Sequence, residues 1–163
     1  MDSTSYLEVV SLIERLHRQF LEVVKLELEG SRLHDVNNVQ ALMLFNIGDA
    51  EMTVGELTSR GCYLGSNVSY NVSKLTQNGY LAADRSEHDR RSVRVRLTDK
   101  GRQLRDVVSA MYQRHIEMLG RTSITEDDLE GARTMLERLE RFWGQASNPY
   151  RRGVSLSDAA GDE

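Results

Sequence analysis

Histidine and cysteine, the residue types that most often carry catalysis or bind metals, are few and scattered in this 163-residue chain. The four histidines are His17, His34, His88 and His115, and none has a metal-ligand spacing such as H-E-x-x-H. The sequence also lacks G-x-S-x-G, a P-loop and G-x-G-x-x-G. We therefore interpret the histidines as surface or packing residues, and the sequence predicts neither an enzyme nor a bound cofactor or metal.

The single cysteine, Cys62, has two interpretations. One cysteine cannot form an internal disulfide, and it is too few for a thiolate zinc site. It is either a small buried residue near a helix end or a redox-sensing thiol, which needs exposure and a lowered pKa. Arg60 is the only cationic residue within three positions of it.

A run of small hydrogen-bonding side chains lies on the helix predicted from Ser66 to Gln77. Its apolar residues follow spacings of four and three, which put them on one buried face: Val68, Val72 and Leu75. The other face carries the polar set Asn67, Ser69, Tyr70, Asn71, Ser73 and Lys74, after Ser66 as the predicted cap. Such side chains can read base edges in a major groove. Asn67 and Asn71 are four apart, so we expect both to point into that groove.

A basic segment follows this helix. Residues 85–105 hold eight basic and three acidic residues, a net charge of +5, whereas the rest of the chain carries −9. Within it, residues 93–97 alternate with period two and predict a strand, which pairs with a second strand entered at Tyr80–Ala83. The polar residues 86–91 form the hairpin tip. A local basic patch on an acidic body can dock DNA on one face, although a solvated basic hairpin would have the same composition.

The remaining elements would have to position these residues. Apolar periodicity and capping signals predict helices at residues 6–28, 37–47, from Thr53 to about 61, 98–119 and 125–143. Thr53 with Glu56 has the S/T-x-x-E pattern of a capping box, and Thr125 with Asp128 has the same spacing. The wide apolar stripes of the long helices are either plain core or a dimer face. No apolar run approaches the ~18 residues of a membrane span, and the first residues lack the features of a signal peptide. These features predict a cytoplasmic protein.

One segment carries a specific resemblance. The run from Asp89 to Gly101 has an Asp-x-Arg tip, an alternating strand ending in Leu-Thr, and a glycine three residues after that threonine. It resembles the wing signature of the MarR (multiple antibiotic resistance regulator) family. Met52–Leu57 resembles the first motif helix of that family, and the spacing of Val68, Val72, Leu75 and Gly79–Leu81 resembles its recognition helix. The resemblance covers about residues 5–143.

The resemblance implies a mainly α fold with a small two- or three-stranded β-wing, a winged helix-turn-helix with long N- and C-terminal dimerisation helices. It implies a dimerisation helix at 1–36, a DNA-binding region at 37–98 and dimerisation helices at 99–143. Residues 144–163 are rich in Gly, Ser, Ala and Asp and are expected to be a disordered tail. The expected partners are double-stranded palindromic operator DNA, a second copy of the chain and a small-molecule effector.

The family also implies roles for single residues. Asn67, Ser69, Tyr70 and Asn71 fall at base-contacting positions, and Ser66, Ser73 and Lys74 fall at phosphate-contacting positions. Arg91 matches the wing-tip arginine that enters the minor groove, and Asp89 matches the acid that orients it. Two further arginines of the basic hairpin, Arg85 and Arg90, complete the DNA-binding set.

Some alternatives stay open. Phe45–Asp49 and Gly65–Val72 resemble the LdtR-type alphaproteobacterial branch of the family, which implies stress-response or cell-envelope genes as targets. A winged-helix protein-interaction module would lack basic residues on its wing and recognition face, and this chain has them. Redox sensors of the family carry their cysteine in the first helix, so that role does not transfer to Cys62, and thiol sensing there remains a separate alternative.

Overall fold

The computed structural model describes residues 3–31, 35–61, 65–85 and 93–146. In chain order its elements are α1 (Ser3–Gly30), α2 (Asn38–Ile47), β1 (Met52–Thr53), α3 (Val54–Gly61), α4 (Gly65–Gln77), β2 (Leu81–Arg85), β3 (Val93–Leu97), α5 (Asp99–Leu119) and α6 (Glu126–Ala146). The predicted mainly α winged helix-turn-helix is confirmed. The wing sheet has three strands, because β1 joins the two strands that the sequence pattern predicts.

Polar caps set where several helices begin. At α3, the backbone N–H of Glu56 donates to Thr53 Oγ1 (3.1 Å), and the Glu56 carboxylate accepts from the backbone N–H of Thr53 (2.7 Å). Thr125 and Asp128 make the same reciprocal pair at the start of α6. These two predicted capping boxes are confirmed, and each satisfies amides that the first helical turn leaves unpaired.

Three predicted boundaries differ from the structure. Helix α4 already includes Gly65, so Ser66 stands inside its first turn and is not its N-cap. Helix α1 includes Gly30, although the sequence pattern predicts that the helix ends before this glycine. Helix α6 continues to Ala146, so residues 144–146 are helical and the prediction of a tail starting at 144 is wrong there. The rest of the predicted tail lies outside the described residues.

The wing sheet has the strand order β1-β3-β2 and is antiparallel throughout. Met52 pairs with Val95 on one side, and Ala83 pairs with Val95 on the other. Side chains of β3 alternate as predicted, because Val95 and Leu97 are buried whereas Arg94 and Arg96 are exposed. The central strand therefore presents its arginines on the face opposite the core.

Residues up to His115 form one compact unit around a single hydrophobic core. Nearly every element of this unit contributes to it, from Val24 and Leu28 of α1 to Val108 and Met111 of α5. The ring of Tyr112 on α5 lies 4.9 Å from that of Phe45 on α2 and 6.1 Å from that of Phe20 on α1, between centroids. The core thus fixes α4 and the wing on a helical scaffold.

A close backbone contact holds α5 against the turn before β2. Thr98 caps α5, since its Oγ1 accepts from the backbone N–H of Gly101 (3.1 Å). A Cβ atom at Gly101 would lie 2.2 Å from the carbonyl oxygen of Tyr80. Glycine at this position of the wing signature therefore has a steric cause.

The second unit begins at Ile116 and is described through Ala146. It comprises the last residues of α5, a capped turn and α6. No side chain of α6 is buried, although its apolar residues include Leu129, Met135, Leu136 and Phe142. Across the described ranges, no helix has the length and apolar character required to span a bilayer.

Candidate nucleic-acid interface

Helix α4 presents a polar surface opposite its packed face. Val68 and Leu75 are fully buried and Val72 is nearly so. The side chains of Asn67, Ser69, Tyr70, Ser73 and Lys74 are exposed. Tyr70 is 62% exposed and lies opposite the buried stripe, so it occupies the centre of this face. The arrangement provides hydrogen-bonding groups, a ring and one cation on the surface of a single helix.

Asn71 does not belong to this surface, and the expectation that it points into the groove with Asn67 is wrong. Its side chain is only 9% exposed. Its Oδ1 accepts from Gln40 Nε2 on α2 (3.0 Å), and its Nδ2 donates to the carbonyl of Asn67 (2.9 Å). The reason lies in the helical period, because position 71 falls three after Val68 and four before Leu75 and thus on the buried stripe. That spacing could have been read from the sequence.

The wing adds exposed arginines that the residue-by-residue prediction does not include. Arg94 and Arg96 project from the outer face of β3, and Arg96 Nε lies 3.6 Å from Asp84 Oδ2 on β2. The period-two alternation of this strand is the signal that could have identified them. Arg85 ends β2 and pairs in register with Val93.

Several of the other predicted contacts fall outside what the structure describes. Asp89, Arg90 and Arg91 lie outside the described residues, as does Cys62. The side chains of Ser66 and Arg85 are likewise not described, although both residues have a described backbone position in α4 and β2. Within the described ranges, no group of three or more His, Cys, Asp or Glu residues could hold a metal ion.

Three cations of the basic segment, all on α5, make contacts within the protein. Lys100 donates to Asp35 Oδ2 (2.9 Å). Arg102 donates to the carbonyl of Leu97 (3.0 Å) and pairs with Asp99. Arg105 pairs with Asp49 and with Asp106, and its pKa is raised by those two carboxylates, Asp106 first. Carboxylates of the protein therefore engage these three cations, as Asp84 engages Arg96 on the wing.

Asp35 is the centre of a polar cluster behind the C-terminal end of α4. Its carboxylate accepts from the Tyr80 hydroxyl and from Lys100, whose ammonium lies 4.0 Å from the centre of the Tyr80 ring. Partial burial raises the pKa of Asp35, but the hydrogen bonds from Tyr80 and Lys100 together lower it below its ordinary value. Burial raises the pKa of the Tyr80 hydroxyl most, and the hydrogen-bonded Asp35 carboxylate raises it further. The cluster ties the segment before α2 to the turn after α4 and to the start of α5.

A groove of about 450 Å³ lies between α4 and the wing. Its apolar lining comes from α3, α4 and the strands β2 and β3, and its polar lining comes from α4. These residues are Val54, Val72, Ala83 and Val93, and Ser69, Ser73, Thr76 and Gln77. Because Ser69 and Ser73 also belong to the exposed face of α4, the groove adjoins that face directly.

Comparisons with known proteins agree with this geometry. Residues 36–101 match the family described as winged helix DNA-binding domain. The exopolysaccharide II synthesis transcriptional activator ExpG of Rhizobium meliloti (strain 1021) is 37% identical over 143 residues, which cover 88% of this chain and 74% of ExpG.

Two solved structures share the fold. Streptococcus pneumoniae FabT in complex with DNA has a TM-score of 0.69 at 22% identity, covering 87% of this chain and 99% of FabT. Staphylococcus aureus MarR in complex with salicylate and kanamycin has a TM-score of 0.70 at 19% identity, covering 88% of this chain and 95% of the MarR chain. These relatives are transcription regulators, not enzymes. With its three-stranded wing, its polar α4 face and these relatives, the chain belongs to the MarR family of winged helix transcriptional regulators.

Proposed function

We propose that this protein binds palindromic operator DNA as a homodimer in the cytoplasm and that a small molecule modulates its affinity. The observation that carries the proposal is the exposed polar face of α4 next to a strand that presents Arg94 and Arg96. A helix of this kind can enter a major groove, and arginines beside it can contact phosphates. A protein-interaction module would not need these cations on its exposed surface.

The homodimer is supported by apolar surface on the long helices. In α1, which has 28 residues, only Val24 and Leu28 are buried, whereas Leu7, Leu16 and Leu26 are more than half exposed. In α6, no side chain is buried. Apolar surface of this extent is typical of an interface between proteins. Sedimentation at micromolar concentration is expected to give twice the chain mass, and a stable monomer would contradict the dimer.

The role of α4 can be tested with Asn67→Ala. An asparagine side chain can make two hydrogen bonds to adenine in the major groove. The variant should therefore lose affinity for the operator by roughly 1–3 kcal/mol, with little change for unrelated duplex. Asn46→Ala provides a control, since Asn46 is also an exposed asparagine but belongs to α2 instead of α4. Equal losses on both duplexes would show that Asn67 does not read bases.

The groove between α4 and the wing supports the effector proposal. Its volume lies within the ~300–1,000 Å³ range of small-molecule pockets, and S. aureus MarR has been crystallised with salicylate. An occupant touching Ser69 and Ser73 would compete with DNA for the same face. Phenolic compounds that bind should lower operator affinity. Oxidation of Cys62 is the rival input, and loss of peroxide sensitivity in Cys62→Ser would support it.

The genes controlled are proposed from the relatives. ExpG activates exopolysaccharide II synthesis, and the LdtR-type resemblance points to stress-response or cell-envelope genes. We propose that the operators of this protein lie upstream of genes for envelope or exopolysaccharide functions. Genome-wide binding sites, mapped in its own cell, should cluster at such promoters. Sites scattered without relation to promoters would contradict the assignment.

A further inference from the structure

Two buried amide side chains connect α2 to α4. Among the described residues, Gln40 and Asn71 are the buried polar side chains, at 6% and 9% exposure. Gln40 Nε2 donates to Asn71 Oδ1 at 3.0 Å, and Asn71 Nδ2 donates to the carbonyl of Asn67 at 2.9 Å. The connection therefore ends at the backbone of a residue whose side chain lies on the exposed face.

Gln40 is itself held from the other side. Its Oε1 accepts from the backbone N–H of Asn37 (3.2 Å), while its own backbone N–H donates to Asn37 Oδ1 (2.9 Å). These bonds form the capping box of α2. Because the cap occupies the amide oxygen of Gln40, its NH₂ group is directed towards α4. Hydrogen bonds thus run in one direction from the cap of α2 to the N-terminal half of α4.

The apolar contacts of α4 cannot fix its orientation in the same way. Val68, Val72 and Leu75 bury apolar surface, and the hydrophobic effect has no directional preference. A hydrogen bond requires a narrow range of distance and angle. A buried amide pair adds little net stability over an apolar pair of the same shape, whereas buried polar pairs are known to fix register between helices.

We propose that Gln40 and Asn71 are positioning residues, which set the rotation of α4 about its axis and so determine operator selectivity without touching DNA. This inference rests on the proposed function of α4 in reading operator DNA. A small rotation of α4 would displace Asn67 and Tyr70 from the base edges while leaving the wing arginines on the phosphates. Selectivity should therefore depend on the amide pair, and non-specific affinity should not.

The most informative variant is Gln40→Met, because methionine has a similar shape and Gln40 is buried on α2, outside the α4 face proposed to contact DNA. Asn71→Leu and the double variant Gln40→Met/Asn71→Leu complete the set. Each single variant leaves one buried side-chain amide without its partner, but the double variant leaves no such side chain and keeps the test valid if a single variant folds poorly. Gln40→Met and the double variant both remove the cap bond from the Asn37 backbone N–H, so a comparison of these two variants is free of the effect of the cap. Thr58→Val is the control, because it removes the side-chain bond from Thr58 to the Val54 carbonyl on neighbouring α3.

Affinities would be measured for an operator selected by the wild type and for a scrambled duplex, at several salt concentrations, with melting temperatures at one protein concentration. Gln40→Met and the double variant should lose operator preference roughly tenfold, the size of one good specific contact. Their scrambled-duplex affinity and salt dependence should match the wild type and Thr58→Val. The double variant should regain part of the melting temperature lost by the singles.

Two results would overturn the proposal. If Gln40→Met keeps operator preference while Asn71→Leu loses it, Asn71 leaves its buried position and reads a base itself. If every variant keeps the preference, the pair serves packing alone. The sequence selectivity of the wild type is measured first. A wild type that prefers no duplex sequence would refute the proposed function rather than the role of the amide pair.

Discussion

Replacing Gly101 with alanine tests how tightly the first turn of α5 packs against the turn before β2. The new Cβ would lie 2.2 Å from the Tyr80 carbonyl oxygen, whereas ordinary contacts begin near 3.4 Å. The two backbones must therefore separate by about 1 Å. The Tyr80 oxygen cannot yield easily, because the backbone N–H of Thr98 donates to it at 3.1 Å. The Thr98 hydroxyl is shared between this oxygen, at 3.1 Å, and the Gly79 carbonyl, at 2.6 Å.

The free energy of unfolding should fall by about 2 kcal/mol. Overpacking costs roughly 1–3 kcal/mol, and the upper end applies because the opposing atom belongs to the backbone. The better helix propensity of alanine offsets about 1 kcal/mol of this loss. A loss of about 2 kcal/mol corresponds to a melting temperature roughly 4–8 °C lower for a chain of this size.

Thermal unfolding at a fixed protein concentration measures this difference, with Gly131→Ala as the matched control. Gly131 lies inside α6, and a methyl group added there would have no atom within 4 Å, so alanine should raise stability by about 0.5–1 kcal/mol. If Gly101→Ala is as stable as Gly131→Ala, the close contact does not constrain the junction and the steric explanation of the wing glycine is wrong.

Two further predictions concern the wing tip and the Asp35 cluster. Arg91→Ala should weaken operator binding by roughly 1–3 kcal/mol and reduce the salt dependence by about one counterion, and Asp89→Ala should cause a smaller loss. Fluorescence anisotropy at several salt concentrations measures both, and unchanged affinity and slope in Arg91→Ala would falsify insertion of the wing arginine. The folded-state pKa of Asp35 is lowered, so its ionised form stabilises the protein above the ordinary value of 3.8, and this contribution is lost as pH falls through the lower folded value. Urea unfolding across the acid range should show this loss in the wild type but not in Asp35→Asn. Equal pH dependence of the two proteins would show that ionised Asp35 does not stabilise the fold.

Local signals predict the elements well. The pairs Thr53 with Glu56 and Thr125 with Asp128 cap helices because a hydroxyl and a carboxylate three residues apart can satisfy first-turn amides. The alternation of β3 lies within its own five residues, because successive side chains of a strand point to opposite faces. These features depend on neighbouring residues in sequence, so the pattern alone carries them.

Features that depend on distant residues are not predicted by local patterns. The helical period places position 71 on the buried stripe, but it does not identify the partner of the Asn71 amide, because Gln40 lies 31 residues away. The net charge of residues 85–105 predicts a single basic patch. In the structure, Arg105 instead pairs with Asp49, which is 56 residues away in sequence. The sequence shows the charge of each side chain but not which carboxylate pairs with it in the fold. Such pairing reduces the number of cations that are available to DNA.

We propose that two copies of this chain recognise palindromic DNA through α4 and the wing. In-vitro selection of duplexes from a random pool by the full chain tests it most directly. A symmetric dimer should enrich an inverted repeat whose half-site centres lie roughly one helical turn, about 34–36 Å, apart. Recovery of a single unrepeated half-site, or of no shared motif at all, would contradict it.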